Sequence, residues 1–332
     1  MHPAGSSAGP GRVHTGRMAE RGEQRATARR TMDRLRAMRM AGGAQLTAFV
    51  SEILAQEHDP DVTMAALAAL PKPPPREVAG ALRTAWEWFA ANGKRRDPGG
   101  FVRTGILQAL APIATSEDRA AFVTAIETME PSAQDGSGPG VLRAAGLAGL
   151  HGIEPEAAAP YAAGMLADPH RLSRMNGEPG ITAARVLFAT GDELLLFTYV
   201  MVAPRLPAEV AAECLRSLTE LPEPLRAACV ERFADDAEPL VQLGLCDLVV
   251  QSRMAGAAEK LLKTLEDTEV YASLVSSIVA SRDTGLAQAL LSHAKLATAR
   301  EKLTLLAESL GLMRGDAGAE AVLESVRKKL GR

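Results

Sequence analysis

FVRTGILQAL (101–110), VLRAAGLAGL (141–150) and ITAARVLFAT (181–190) are one pattern written three times at a spacing of 40 residues. Phe101, Val141 and Ile181 open the three blocks, and Leu107, Leu147 and Leu187 fall at one shared position inside them. The ten residues ahead of each block, ANGKRRDPGG, PSAQDGSGPG and RLSRMNGEPG, are rich in helix breakers, and each ends in glycine. Apolar residues within the blocks recur at helical spacing and do not alternate as a strand would. One helical block and one breaker block per unit, at a fixed period, is the pattern of a stacked repeat array.

Outward from these blocks, a second helix is expected in each unit, over 117–129, 155–167 and 192–203. After Pro207 the period shortens to 30: Val210, Leu240 and Val270 align, as do Leu215, Leu245 and Val275, and then Leu218, Leu248 and Ile278. Partner helices are expected from Glu223, Ala255 and Thr284, and two further helices over 299–312 and 317–330 close the chain. Upstream, 77–91 reads as a helix with Val78, Leu82, Trp86 and Phe89 on one stripe and Trp88 well off it. A helix from the N-cap Asp61 to Leu70 ends at Pro71 and the run Pro73, Pro74 and Pro75. Met32, Leu35 and Met38 mark an arginine-rich amphipathic helix over 19–40, ended by Gly42 and Gly43. Residues 1–17 are poor in apolar side chains and read as a disordered tail.

The expected fold is therefore all-α: an α-solenoid of roughly nine antiparallel helix pairs over 18–332. Its 40-residue units occupy 91–206, its 30-residue units 207–298 and its cap 299–332. Composition agrees, since 47 % of the 332 residues are hydrophobic and only 4 % aromatic. Ala, Leu and Val suit closely approaching helices better than a wide sandwich core.

The net charge of −3 is unevenly spread. Before Ala41 nine arginines face Glu20, Glu23 and Asp33, a balance of +6, so the remainder carries −9. An acidic body is unsuited to holding duplex nucleic acid along its length. Cys214, Cys229 and Cys246 form no CxxC, and their odd number argues for buried thiols in a reducing, cytoplasmic setting. The longest apolar run, 194–203, is about half of what spans a bilayer, so no membrane role is expected.

DPGGFVRTGILQAL (97–110) resembles the first half of a HEAT repeat, and YAAGMLADP (161–169) resembles a second HEAT helix running into the next unit. The resemblance covers about 60–315 and implies a right-handed superhelix with a concave binding face. It also implies an internal ladder of Asp and Arg, for which Asp97 and Arg103 fit, Arg143 fits alone, and Ala183 departs from the pattern. HEAT arrays mostly serve as scaffolds, so the family by itself names no single activity.

No catalytic constellation, metal-ligand spacing or cofactor motif emerges. His2, His14, His58, His151, His170 and His293 are scattered, and GSGPG (136–140) lacks the Lys-Ser/Thr of a phosphate loop. The most distinctive local feature is AWEWFAANGKRR (85–96), in which Trp88 precedes Lys94, Arg95 and Arg96. Arg171 and Arg174 occupy the aligned segment two units later. These six residues are the expected contact points for an acidic partner or nucleic acid. The function implied is a non-enzymatic scaffold that binds a protein or peptide on its concave face or its long-loop edge. The alternative is a nucleic-acid-acting protein resembling the helical-repeat alkyl-purine DNA glycosylases.

Overall fold

The computed structural model describes residues 12–130, 139–167, 176–203, 206–313 and 317–331. Among them every regular element is helical, with no strand. The chain divides into two compact units, Met1–Ala125 and Ile126–Arg332.

The first unit holds α1 (Arg12–Ala41), α2 (Ala44–Gln56), α3 (Pro60–Ala69), α4 (Ala79–Ala90), the single turn α5 (Gly93–Arg96) and α6 (Phe101–Leu110). α7 (Arg119–Glu127) carries the chain across into the second unit. The first helix thus starts at Arg12, inside the stretch expected as a tail, while residues 1–11 lie outside the described ones. The N-cap of α3 is Asp59, not the expected Asp61: its Oδ1 accepts the amides of Asp61 at 2.9 Å and Val62 at 3.1 Å. Pro60 decides this, because a proline at the first helical position needs no partner for a missing N–H. α2 packs on α4 and α4 on α6, while α1 and α3 pack on each other and on α2. Leu54, Leu82, Phe89, Ile106, Leu107 and Phe122 are fully buried in this unit. Arg83 of α4 clamps the turn Ser116–Asp118 ahead of α7, its Nε donating to Asp118 Oδ1 at 2.6 Å and its Nη2 to Oδ2 at 3.1 Å.

The second unit continues with α8 (Gly140–Ile153), α9 (Pro155–Leu166), α10 (Gly180–Ala189), α11 (Glu193–Val202), α12 (Ala208–Arg216) and α13 (Glu223–Phe233). It closes with α14 (Pro239–Gln251), α15 (Ala255–Thr264), α16 (Thr268–Ser281), α17 (Thr284–Leu296), α18 (Arg300–Leu310) and α19 (Ala317–Leu330). Even-numbered helices contact one another in order from α8 to α18, and α15, α17 and α19 do the same. Each of these helices therefore packs both on a sequence neighbour and on a helix two places away.

The aligned positions of the 30-residue units lie in this packing. Leu215, Leu245, Val275, Leu218, Leu248 and Ile278 are all buried, whereas Leu240 is 44 % exposed. Phe101 and Val141, the first residues of their blocks, are exposed as well. All three stand in the first turn of a helix, so the repeat alignment there marks a shared place in the unit and not a shared core position. α12 and α14 approach so closely at Gly244 that a Cβ there would lie 2.5 Å from the Cα of Ala212. Charges cross the same row: Glu213 of α12 accepts from Arg185 of α10 at 2.7 Å and from Arg216 at 3.2 Å, and Arg216 lies 3.5 Å from Asp247 of α14.

Leu245→Asp is expected to cost several kcal/mol, since it places an unpaired carboxylate inside the row. Gly244→Ala is expected to cost about 1–3 kcal/mol from overpacking, opposite in sign to the roughly 1 kcal/mol that alanine gains at an open helix position. Thermal unfolding measures both; a Gly244→Ala protein melting above the wild type would contradict the close approach of α12 and α14.

Candidate functional site

The feature singled out in the sequence is assembled at the end of α4. Phe89 lies on the buried stripe and is fully enclosed, so its predecessor Trp88 is turned out of the core and half-buried. The indole is engaged on several sides. His58, in the linker between α2 and α3, stacks on it with ring centroids 4.2 Å apart and planes 6° from parallel. The Arg96 guanidinium lies over the ring at 4.1 Å, and Phe89 meets it edge-on at 4.7 Å. Arg96 Nη1 also donates to the Trp88 carbonyl. Arg96 is therefore a structural partner of Trp88 more than a free cation.

The segment 91–100 was expected as a loop, and part of it folds. α5 forms because the Asn92 carbonyl accepts the amides of Arg95 and Arg96, at 3.1 and 2.9 Å, and Gly93 O accepts that of Asp97 at 2.9 Å. Asp97 then anchors the far end. Its buried carboxylate caps α6 through the amides of Val102 at 3.0 Å and Arg103 at 2.9 Å, and it receives Arg103 Nε at 3.1 Å. Arg103 Nη2 donates to the Asp97 carbonyl at 3.1 Å. Gly99 and Gly100 make the turn into α6 with φ of 88° and 76°, the left-handed region that glycine enters without strain. Lys94 and Arg95 project from this fixed turn into solvent, and among the described residues neither side chain has an ion pair or hydrogen bond.

The structure thus brings Trp88, Lys94, Arg95 and Arg96 together. Arg171 and Arg174 lie outside the described residues, as do 131–138 of the intervening segment. His58 was missed by sequence reasoning. It stands thirty residues before Trp88 in a linker without periodicity, so no spacing rule points to it. Arg143, aligned with Arg103, donates its Nε to the Ile126 carbonyl at 3.1 Å.

Elsewhere, the polar groups of the second unit sit inside packed structure. The Tyr271 hydroxyl and His293 Nε2 are 3.1 Å apart, both side chains buried. Lys302 lies 4.8 Å from the Tyr271 ring and donates to the Leu265 carbonyl at 2.7 Å. Burial, reinforced by Lys302 and Lys263 and opposed by Glu259, pushes the His293 imidazole from its usual 6.5 down to about 4. Burial also raises the thiols of Cys214 and Cys246 to about 12 and that of Cys229 to about 11, so all three are protonated at neutral pH. Among the described residues no group of three His, Cys, Asp or Glu side chains is placed to hold a metal ion. No described helix is long and apolar enough to cross a membrane. α11 is apolar over most of its surface and leaves Leu194, Leu195 and Val202 exposed.

Two measurements follow from this geometry. Asp97→Ala is expected to cost on the order of 3 kcal/mol, because it withdraws the carboxylate from the buried Arg103 and two helix amides. His293 makes stability depend on pH. Its folded value lies below its unfolded one, so its contribution is complete above pH 6.5 and is lost as pH falls toward 4, by at most about 3 kcal/mol. Denaturant titrations of the wild type and of His293→Gln across that window should differ in slope; parallel curves would remove His293 as the cause. Comparison of the chain with family models, curated proteins and solved structures finds no match.

Proposed function

We propose that this chain is a non-enzymatic scaffold, a HEAT-like α-solenoid of about nine helix pairs in the cytoplasm, whose fixed basic turn at Lys94 and Arg95 captures an acidic protein or peptide. The observation that carries the reading is the preorganised turn itself. Two exposed cations without partners among the described residues are held on α5, between the His58–Trp88–Arg96 stack and the Asp97–Arg103 pair. A turn already ordered loses little conformational entropy when it meets a partner, which favours recognition. The succession of helices contacting their second neighbours supports the solenoid reading, since repeat arrays present extended surfaces of this kind.

The alternative, a nucleic-acid-acting protein of the DNA glycosylase type, would use Trp88 against a base. That use fits the geometry less well: the indole is already stacked on His58 and Arg96, and opening the stack would cost the contacts that hold the turn.

The test separates exposed from structural cations. Lys94→Ser/Arg95→Ser should melt within about 1 °C of wild type, since exposed surface changes have little effect on stability. It should also lose cross-linking to the acidic proteins that the wild type captures from its native lysate. Arg96→Ser should instead lower the melting temperature. An unchanged set of cross-linked proteins in the double variant would refute the turn as the site.

A further inference from the structure

The arginine helix is the charged feature that the scaffold reading leaves unused. Residues 1–125 contain 17 Lys and Arg against 12 Asp and Glu, a net charge of +5. The remaining 207 residues contain 20 against 28, a net of −8, which restores the −3 of the whole chain. The basic excess of the first unit is concentrated in α1. Between Arg29 and Arg39 five arginines face one acid, Asp33, and all six side chains are exposed. No lysine occurs in α1.

The arginines divide into two sets. Arg30 and Arg34 line the groove between α1 and α2, with Arg30 Nη2 donating to Thr27 Oγ1 at 3.2 Å and Arg34 over the Phe49 ring at 4.3 Å. Arg29, Arg36 and Arg39 are exposed and do not line that groove. Of these, only Arg36 has a partner among the described residues: the exposed Asp33 at 3.2 Å, an i,i+3 pair of small energetic worth. At 1.5 Å of rise per residue, the three cations are strung along roughly 15 Å of helix.

We infer that these exposed arginines of α1, outside the groove, bind the sugar–phosphate backbone of a nucleic acid without reading its sequence. A line of guanidinium groups matches a polymer of regularly spaced phosphates, each able to take a bidentate pair of N–H donors. The composition of the helix argues against the other anions that arginines meet. A protein interface is built round a desolvated apolar centre, and here the apolar side chains Leu35, Met32 and Met38 turn inward and are buried or half-buried. The same inward turn leaves a lipid surface little to take up, since a membrane-bound helix inserts an apolar face and, among the described side chains of α1, only Met40 is a strongly exposed large apolar one. Contact is confined to the first unit, because the second, at −8, repels a polyanion on balance.

Fluorescence anisotropy of the full chain with a labelled 20-base-pair DNA duplex and a labelled 20-nucleotide single strand, titrated with KCl, tests this. The expected result is micromolar binding at low salt with a linear dependence of log K on log salt. Arg29→Ser/Arg36→Ser/Arg39→Ser should weaken binding roughly tenfold or more and flatten the salt slope by about 2–3. The corresponding triple lysine variant keeps the charge and should retain binding. Lys94→Ser/Arg95→Ser should leave the slope unchanged, so failure of the scaffold reading and failure of this one are told apart. Absence of binding to both probes, an unchanged slope in the triple serine variant, or binding only to vesicles containing phosphatidylserine would each overturn the proposal.

Discussion

Leu245 is wholly buried although its helix carries polar residues at Gln242, Asp247 and Gln251, and it can be so only because α14 lies between α12 and α16. The same holds along the row. A helix of ten to fourteen residues is marginal in water by itself, and its stability comes from the stripe it buries on its neighbours. Each fully buried large aliphatic side chain contributes roughly 1.5–3 kcal/mol. The contribution exists only while the adjacent helix is in place. The rows are therefore cooperative over neighbours, and small residues at the crossings set how close those neighbours come. Gly244 against the backbone of Ala212 is the tightest instance, and it explains why alanine-rich and glycine-rich helices are used in place of aromatic filling.

Charged groups occupy the joints that apolar packing leaves undefined. Asp97 and Arg103 join a turn to the helix it precedes, Arg83 and Asp118 join α4 to the turn before α7, and Glu213 links α10 to α12. In each pair at least one partner is buried, and a buried carboxylate that lost its cation would be strongly unfavourable. Apolar stripes slide against one another at modest cost, whereas these pairs are satisfied at one relative placement only. Their contribution is better understood as register than as net stability.

The helices and their order were legible because period and punctuation agree. The starts of α13, α15, α17 and α19 fall at the expected residues; Pro222 stands directly before α13, and the Asp283 side chain caps α17. Three things were not legible. Exposure in the first turn, as at Phe101 and Leu240, depends on how far a helix extends past its neighbours, which the period does not encode. The ladder from Arg185 through Glu213 and Arg216 to Asp247 joins residues whose spacings follow neither repeat length. The stack of His58 on Trp88 depends on where the linker after α2 is carried, and a single exposed histidine gives no sign of it. In the candidate site, sequence grouped Trp88 with the basic residues but could not distinguish Arg96, held against the indole, from Lys94 and Arg95, whose side chains have no ion pair or hydrogen bond among the described residues.

That distinction changes what the basic residues of the first unit can do. A guanidinium over an aromatic ring keeps its charge but has given up part of its solvation and its choice of orientation. Arg34 over Phe49 and Arg96 over Trp88 therefore act as fixed background charge, raising the local potential without needing to touch a partner. Lys94, Arg95, Arg29, Arg36 and Arg39 are the groups left to make contacts. Two sit on a rigid turn, which suits a short acidic segment of defined shape. Three stand along a helix, which suits a long polyanion able to slide. A polyanion and an acidic peptide would thus meet different residues within one field, and salt would weaken both while substitution at either place would weaken only one.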